Sequence, residues 1–153
     1  GTVLATIAGF SSVDHLESYR SACDQAIVAV GNNALREKLM QQLVDVGFDL
    51  ATVIHPRAFV SHSAMVGIGS AVMAGAIVGT EAQLGVCVIV NCGAVVDHHA
   101  KVGDFGHLGV SACMAGGSSL GRHAWMQAGC ALGYGVEVPV GTVLEPRTAF
   151  RAR

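Results

Sequence analysis

The stretch Val66-Gly-Ile-Gly-Ser-Ala-Val72-Met-Ala-Gly-Ala-Ile-Val78-Gly-Thr-Glu-Ala-Gln-Leu84 decides the fold of this chain, because an aliphatic residue returns at every sixth position. The same register runs from Ile54 to Leu144 without insertion or deletion, and the first position of each six is always aliphatic or Met. The fifth position, from Ala58 to Thr148, is always Ala, Ser, Val, Gly, Cys or Thr. Six residues advance an α-helix by about 600°, so a helix cannot keep these positions on one face.

A coil with three six-residue sides fits this period instead. Residues eighteen positions apart then stack at the spacing of β-strands, roughly 4.8 Å, and each aliphatic column fills the centre of a triangular prism. Stacked coils of this kind bury a continuous core only collectively. We therefore expect residues 54–153 to form one parallel β-helix domain, with the small fifth-position residues near its tight corners.

Residues 1–53 follow a different pattern, that of an α/β unit. Ala26–Val30 is a short apolar run typical of a buried parallel strand. Apolar residues four, four and three positions apart predict a helix over 34–46 with one apolar face, capped by Asn32 or Asn33. The residues of this face are Leu35, Leu39, Leu43 and Val46. A second strand over 50–54 and a short helix over 13–19 complete the prediction.

Composition excludes several classes of protein. The chain has 153 residues, 52% apolar and 13% charged, with a net charge of −2, which suits a folded core and not a disordered chain. A nucleic-acid partner is not expected, because no excess of basic residues is present. A transmembrane helix is not expected either, because Gly, Asn, Asp or His interrupts every apolar run before about 18 residues. Five cysteines without a CxxC pair favour free thiols in a reducing cytoplasm.

Histidines that break the six-residue pattern are the candidates for chemistry, because an aliphatic core is inert. His98 and His99 occupy the third and fourth positions of one six, which are outward-facing corner positions, and Asp97 precedes them. His107 follows nine residues after His98. Imidazole accepts a proton near neutral pH, so a general base is one interpretation. Solvated surface histidines are the other.

Two glycines lie one coil after this cluster. Gly116 comes eighteen residues after His98, and Gly117 follows it. We predict an open groove above the imidazole, in which a long thin ligand could lie, and this makes Gly116 a candidate cofactor-binding residue. A glycine that only eases the corner is the alternative.

Several separated segments carry a resemblance to a known family. In chain order they are Ala26-Ile-Val-Ala-Val-Gly-Asn-Asn33, Arg36, Gly47-Phe48, Val53-Ile-His-Pro56, Asn91-Cys-Gly-Ala-Val-Val-Asp-His98 and Val102-Gly-Asp-Phe-Gly-His107. Over nearly the whole chain they resemble the sialic-acid O-acetyltransferase and bacterial nucleotide-sugar N-acetyltransferase family of hexapeptide-repeat acyltransferases. The resemblance implies a left-handed parallel β-helix after a partial Rossmann-like domain that binds a nucleotide sugar. The usual crossover rule would predict the opposite hand.

The resemblance also implies an activity and its residues. Acetyl-CoA is the expected co-substrate, and the expected acceptor is an amino or hydroxyl group of a nucleotide sugar or sialic acid. Because acetyl-CoA is already an activated thioester, we expect direct transfer in a ternary complex, without an acyl-enzyme. His98 is the expected general base. Asp97 and His99 complete the catalytic candidates, His107 and the backbone at Ala128 are expected to contact acetyl-CoA, and the expected substrate-binding residues are Gly31, Asn32 and Asn91.

A homotrimer is expected from the same resemblance, and the cysteine usage makes the cytoplasm its expected location. Phe105, Val110 and Trp125 are candidate exposed interface residues, and Trp125 alternatively borders the cofactor.

In one respect the chain departs from the family. His99 stands where an acidic residue often follows the base, and Asp97 is the candidate substitute for that acidic residue. The family's opening strand and glycine-rich loop do not precede Gly1, so we expect the natural chain to begin earlier.

Alternative functions come from other classes of protein. A β-helix metal enzyme of the carbonic anhydrase type would use His62 and His98, which share one column, but its third ligand would fall at Gly103. No metal is therefore expected. A non-catalytic hexapeptide scaffold is the second alternative. Within the acyltransferase interpretation, Cys92 is a less favoured candidate for a covalent acyl carrier.

Overall fold

The computed structural model describes residues 16–21 and 23–151. An N-terminal unit comes first, and its elements are α1 (Leu16–Tyr19), β1 (Gln25–Ala26), α2 (Asn33–Asp45) and β2 (Asp49–Leu50). The strands β1 and β2 pair in parallel. The βαβ order predicted for this part of the chain is therefore present, and the first three residues of the predicted short helix, 13–15, lie outside the described residues.

Within the described residues, seventeen two-residue strands follow and form a left-handed parallel β-helix. They are β3 (Val53–Ile54), β4 (Phe59–Val60), β5 (Met65–Val66), β6 (Ala71–Val72), β7 (Ile77–Val78), β8 (Gln83–Leu84), β9 (Ile89–Val90), β10 (Val95–Val96), β11 (Lys101–Val102), β12 (His107–Leu108), β13 (Cys113–Met114), β14 (Ser119–Leu120), β15 (Trp125–Met126), β16 (Ala131–Leu132), β17 (Glu137–Val138), β18 (Val143–Leu144) and β19 (Ala149–Phe150).

The six-residue period is the repeat of this β-helix, as predicted. Its strands form three parallel sheets of six, five and six members. Every pairing joins residues eighteen positions apart, as in Val95 with Cys113 and Lys101 with Ser119. The second residue of each strand points inward, and Val78, Val96 and Leu108 are completely buried in the continuous core.

Each corner places its fourth-position residue in the left-handed backbone region. This holds at every six from Gly69 to Arg147. Glycine adopts that conformation freely, but the non-glycine residues there cost about 1–3 kcal/mol each. They are Glu81, Cys87, His99, Phe105, Ser111, His123 and Arg147. The corner therefore turns the same way at each coil, and the side chains at one corner form a column.

The N-terminal strands are shorter than predicted. The expected strand over 26–30 is only β1, which ends at Ala26, and the expected strand over 50–54 is divided between β2 and β3. β3 pairs with β6 and so belongs to the β-helix, which places it across the predicted domain boundary at residues 53 and 54. A two-stranded sheet with one long helix does not establish a Rossmann-like domain, and that assignment stays a prediction.

The buried face of α2 differs from the predicted one. Asn32 caps the helix as expected, since its Oδ1 accepts a hydrogen bond from the N–H of Leu35 at 2.9 Å. The side chain of Leu35 is 44% exposed, however, so its placement on the buried face was wrong. Arg36 is buried instead, with 1% exposure.

Arg36 ties the N-terminal unit to the β-helix. Its guanidinium donates to the carbonyl of Cys87 at 2.9 Å and to the carbonyl of Phe105 at 2.7 Å, both at corners of the β-helix. It also donates to the carbonyl of Val30 at 3.0 Å and to Oδ1 of Asn33 at 2.9 Å. One helical side chain thereby fixes α2 and the chain before it against two adjacent coils.

The three sheets present different outer surfaces. The N-terminal unit covers part of the sheet that contains His107, whereas the sheet from β5 to β17 exposes mainly polar side chains. The sheet from β4 to β19 exposes an apolar column, in which Phe59 is 62% and Ile77 42% exposed. No helix in the described part of the chain is long and apolar enough to cross a membrane.

Candidate active site

His98 lies on the rim of the β-helix, as predicted. Its side chain is 48% exposed at the third position of a corner. Asp97 holds the backbone and not the ring, because its Oδ1 accepts the His98 N–H at 2.7 Å while its Oδ2 stays 4.0 Å from His98 Nε2. Asp97 therefore does not orient the imidazole by a direct hydrogen bond.

The neighbour of the His98 ring is His99. The two Nδ1 atoms are 3.0 Å apart and the rings meet edge to face. On its other side, Nε2 of His99 lies 3.0 Å from Oε2 of Glu81. Glu81 lies eighteen residues before His99, at the same corner one coil earlier, so the three side chains form a continuous chain of contacts.

Gly116 makes room for the His98 ring. A Cβ at this position would lie 2.4 Å from both Cε1 and Nε2 of His98, which is closer than atoms can approach. The predicted open groove above the imidazole is therefore filled by the imidazole itself. The ring of Tyr134, which is 71% exposed, lies 6.4 Å from that of His98.

His107 and Trp125 form a second cluster, on the sheet beneath the N-terminal unit. The two rings stack with centroids 5.4 Å apart, and His107 Nδ1 lies 3.2 Å from the carbonyl oxygen of Gly31. Burial lowers the pKa of His107, the hydrogen bond to Gly31 opposes this, and nearby Arg36 lowers the pKa further. The ring is therefore neutral at pH 7, and its Nδ1–H donates to Gly31.

Two buried polar atoms of this cluster lack a partner. Among the described residues, Nε2 of His107 and Nε1 of Trp125 make no hydrogen bond. Buried polar atoms are normally satisfied, and unpaired ones mark strain or a binding site. In the tautomer described above, His107 Nε2 can only accept and Trp125 Nε1 can only donate. The pair fits a ligand group that offers both a donor and an acceptor, such as an amide.

The other predicted site residues already have local roles. Asn32 caps α2, Asn91 Oδ1 accepts the N–H of Cys92 at 2.9 Å, and the carbonyl of Ala128 accepts the N–H of Arg147 at 3.0 Å. Their binding roles stay predictions.

The three predicted interface residues differ in how far they are exposed. Phe105 is buried, with 4% exposure, so its assignment as an exposed residue was wrong; its ring stacks on that of His123. Trp125 is half-buried on His107, and Val110 is 49% exposed.

Residues that the sequence interpretation missed are Glu81, Tyr134 and the buried role of Arg36. Within the described residues, no group of three His, Cys, Asp or Glu side chains could hold a metal ion.

Two solved structures, one of a protein bound to a nucleotide sugar and one of an acetyltransferase domain, are similar to this chain. PerB from Caulobacter crescentus, in complex with CoA and GDP-perosamine, has 37% sequence identity and a TM-score of 0.68, covering 88% of this chain and 69% of its own. The acetyltransferase domain of PglB from Neisseria gonorrhoeae FA1090, in complex with acetyl coenzyme A, has 30% identity and a TM-score of 0.74, covering 93% of this chain and 78% of its own.

The chain belongs to the nucleotide-sugar N-acetyltransferase family of hexapeptide-repeat proteins. A curated relative, UDP-N-acetylbacillosamine N-acetyltransferase of Bacillus subtilis (strain 168), is 46% identical over 48 residues, which are 31% of this chain and 22% of the relative. No family profile matches the chain. Membership in this N-acetyltransferase family confirms the predicted resemblance and the β-helix fold.

Proposed function

We propose that this chain transfers the acetyl group of acetyl-CoA to the amino group of a nucleotide-linked sugar. The observation that carries the proposal is the His98 imidazole on the rim. Its Nδ1 lies 3.0 Å from Nδ1 of His99, and its Nε2 makes no hydrogen bond with the described residues, since Asp97 Oδ2 is 4.0 Å away. Such a ring can accept a proton from a bound acceptor. The CoA, acetyl-CoA and GDP-perosamine in the solved relatives support both substrate classes.

The proposed step is a direct transfer. The sugar nitrogen attacks the thioester carbonyl carbon, a C–N bond forms, and the C–S bond breaks as the CoA thiolate leaves. Nε2 of His98 takes the proton from the nitrogen and then returns it to the thiolate. General-base catalysis of this kind typically contributes about 10²–10⁴-fold, and positioning of two substrates supplies much of the rest.

Acetyl-CoA is proposed to reach the cluster of His107 and Trp125. Its pantetheine amides offer an N–H that could donate to His107 Nε2 and a carbonyl that could accept from Trp125 Nε1, the two unpaired atoms. Gly116 and the backbone at Ala128 remain the other proposed cofactor contacts, with Gly31, Asn32 and Asn91 on the side of the acceptor.

A product assay tests the function. The purified protein is incubated with acetyl-CoA and, in separate reactions, with GDP-perosamine and UDP-linked amino sugars, and acetylated nucleotide sugar is detected by mass spectrometry. We expect one acceptor to be acetylated and a His98→Asn variant to lose at least about 100-fold of this activity. Full activity of the His98→Asn variant would contradict the assignment of His98 as the general base. A chain that neither binds acetyl-CoA in calorimetry nor forms product would be a scaffold.

We also infer that copies of this chain meet through the apolar column of the sheet from β4 to β19. The exposed apolar side chains of Phe59 and Ile77 on adjacent coils support this inference, because monomers rarely expose a continuous apolar patch. Light scattering after size exclusion should give a trimer for the wild-type protein and a folded monomer for Phe59→Asp. A monomeric wild-type protein would contradict it.

A further inference from the structure

Glu81 occupies a corner that brings it to the active site from an earlier coil. Its fourth-position backbone is left-handed, with φ of 55°, and that of His99 has φ of 57°. The repeat therefore gives both residues the same orientation on one corner column. The N–H of Glu81 donates to Oγ of Ser63, the residue below it in this column, at 3.1 Å. Glu81 is thus held beneath His99 by the geometry of the coil.

For two neutral imidazole rings beside an ionised Glu81, the contacts determine which nitrogen carries each hydrogen. An ionised carboxylate can only accept, so Nε2 of His99 carries the hydrogen that points to Glu81 Oε2 at 3.0 Å. In neutral His99 the Nδ1 atom then has a lone pair and can only accept. The 3.0 Å contact between the two Nδ1 atoms therefore requires His98 to donate from Nδ1. The remaining nitrogen of His98, Nε2, is left as the free base.

We propose that Glu81 is a positioning residue that acts through His99 and keeps His98 in the tautomer with a basic Nε2. The proposal rests on the proposed function, because the tautomer matters for proton transfer to His98. Without Glu81, His99 can carry its hydrogen on Nδ1 and donate to His98, which places the His98 hydrogen on Nε2. In that tautomer His98 cannot accept the proton of the acceptor amine.

The proton balance needs no further reactant. When Nε2 of His98 takes the proton from the amine, His98 becomes an imidazolium, and its Nδ1–H still donates to His99. Glu81 stays ionised. Its negative charge is separated from the new positive charge on His98 by the ring of His99. Asp97 is a second carboxylate near the ring, with its Oδ2 4.0 Å from Nε2. The proton then returns from Nε2 to the CoA thiolate.

Kinetics of Glu81 variants provide the first test. We expect Glu81→Ala to lower kcat by about 10- to 100-fold, part of the contribution of a general base, with KM for both substrates within about twofold. Glu81→Gln keeps an acceptor oxygen but no charge and should lose less. Ser111→Ala, at a left-handed position on another corner, and Glu137→Ala, which removes an exposed carboxylate, are controls that should stay within about twofold of wild type.

A double-variant comparison tests the route through His99. If Glu81 acts through His99, adding Glu81→Ala to His99→Ala should change kcat by less than about twofold. Effects that multiply would overturn the proposal, as would a Glu81→Ala variant as active as Ser111→Ala. Melting temperatures of all variants close to that of wild type would show that the kinetic loss is not a loss of folding.

The tautomer can be measured without any activity. In long-range ¹H–¹⁵N spectra of histidine-labelled protein, a protonated ring nitrogen and one with a lone pair have distinct shifts. We expect His98, assigned with a His98→Asn variant, to carry its hydrogen on Nδ1 in wild type and to shift towards the Nε2–H form in Glu81→Ala. An unchanged His98 spectrum would reject the proposal. If no acceptor is acetylated, the proposed function fails, while this spectrum still decides the role of Glu81.

Discussion

Replacement of Arg36 by Met should release the N-terminal unit from the β-helix. Met keeps the length and the apolar part of the side chain but removes every donor. The carbonyl oxygens of Cys87 and Phe105, both buried in their contact with Arg36, would then lose these hydrogen bonds. The hydrogen bonds to Val30 and Asn33 would be lost as well.

The expected cost follows from these contacts. Two buried carbonyls without a partner cost about 2–6 kcal/mol together, and each further hydrogen bond from a charged donor contributes about 1.5–3 kcal/mol. Against this, burial lowers the pKa of Arg36 to about 10. That pKa corresponds to a penalty of about 3 kcal/mol on the charged form, which Met avoids. These terms leave a net loss of about 2–9 kcal/mol in the free energy of docking, and we take about 4 kcal/mol, within the lower half of that range, as the expected value.

The single tryptophan reports this docking. Trp125 stacks on His107, whose Nδ1 contacts Gly31 of the N-terminal unit, so its fluorescence should change when the unit separates. In urea, the fluorescence transition of Arg36→Met should move about 2 M lower, since m is about 2 kcal/mol/M, while circular dichroism of the β-helix changes less. Lys38→Met, an exposed change on the same helix, is the control. Equal fluorescence midpoints for the two variants would refute this account of Arg36.

Three further outcomes are expected. Gly116→Ala should push the His98 ring from its place and lower kcat about 10- to 100-fold, without a lower melting temperature; unchanged kcat would contradict the contact. Because burial lowers the pKa of His107, the unfolded chain takes up a proton that the folded one does not, so stability should fall as the pH drops below 6.5. The loss of melting temperature between about pH 7.5 and 5.5 should be smaller in His107→Gln than in wild type; equal losses would contradict this. Because burial raises the pKa of Cys87, iodoacetamide at neutral pH should label exposed Cys92 first, and equal labelling rates would oppose this prediction.

The β-helix could be predicted from the sequence because one period governs it. An aliphatic residue at each sixth position can fill the core of a three-sided coil, but it cannot stay on one face of an α-helix. The observed pairing of Val95 with Cys113, eighteen residues later, follows directly from this period. The face of α2 could not be predicted in the same way. Its apolar spacing selects Leu35, but the surface that α2 meets presents corner carbonyls, and these favour a buried guanidinium at Arg36.

Part of the candidate site was also open to prediction. The exposed His98 and the close approach of Gly116 both follow from the eighteen-residue column. Glu81 was not predicted, although the same eighteen-residue spacing leads back from His99 to Glu81. The contact of His107 with Gly31 had no such signal, because it depends on how the N-terminal unit docks.

The eighteen-residue column also offers a substitute for the acidic residue that the resemblance leads us to expect after His98, the proposed base. In a β-helix the neighbours of a corner residue come from the coils before and after it as well as from the adjacent positions in the chain. The carboxylate absent at residue 99 is present at Glu81, one coil earlier, and the imidazole of His99 spans the distance to His98. The His98 ring is bounded on its other face by Gly116, one coil later. The proposed catalytic arrangement therefore consists of residues from three successive coils. A motif of consecutive residues contains only those of the middle coil, His98 and His99.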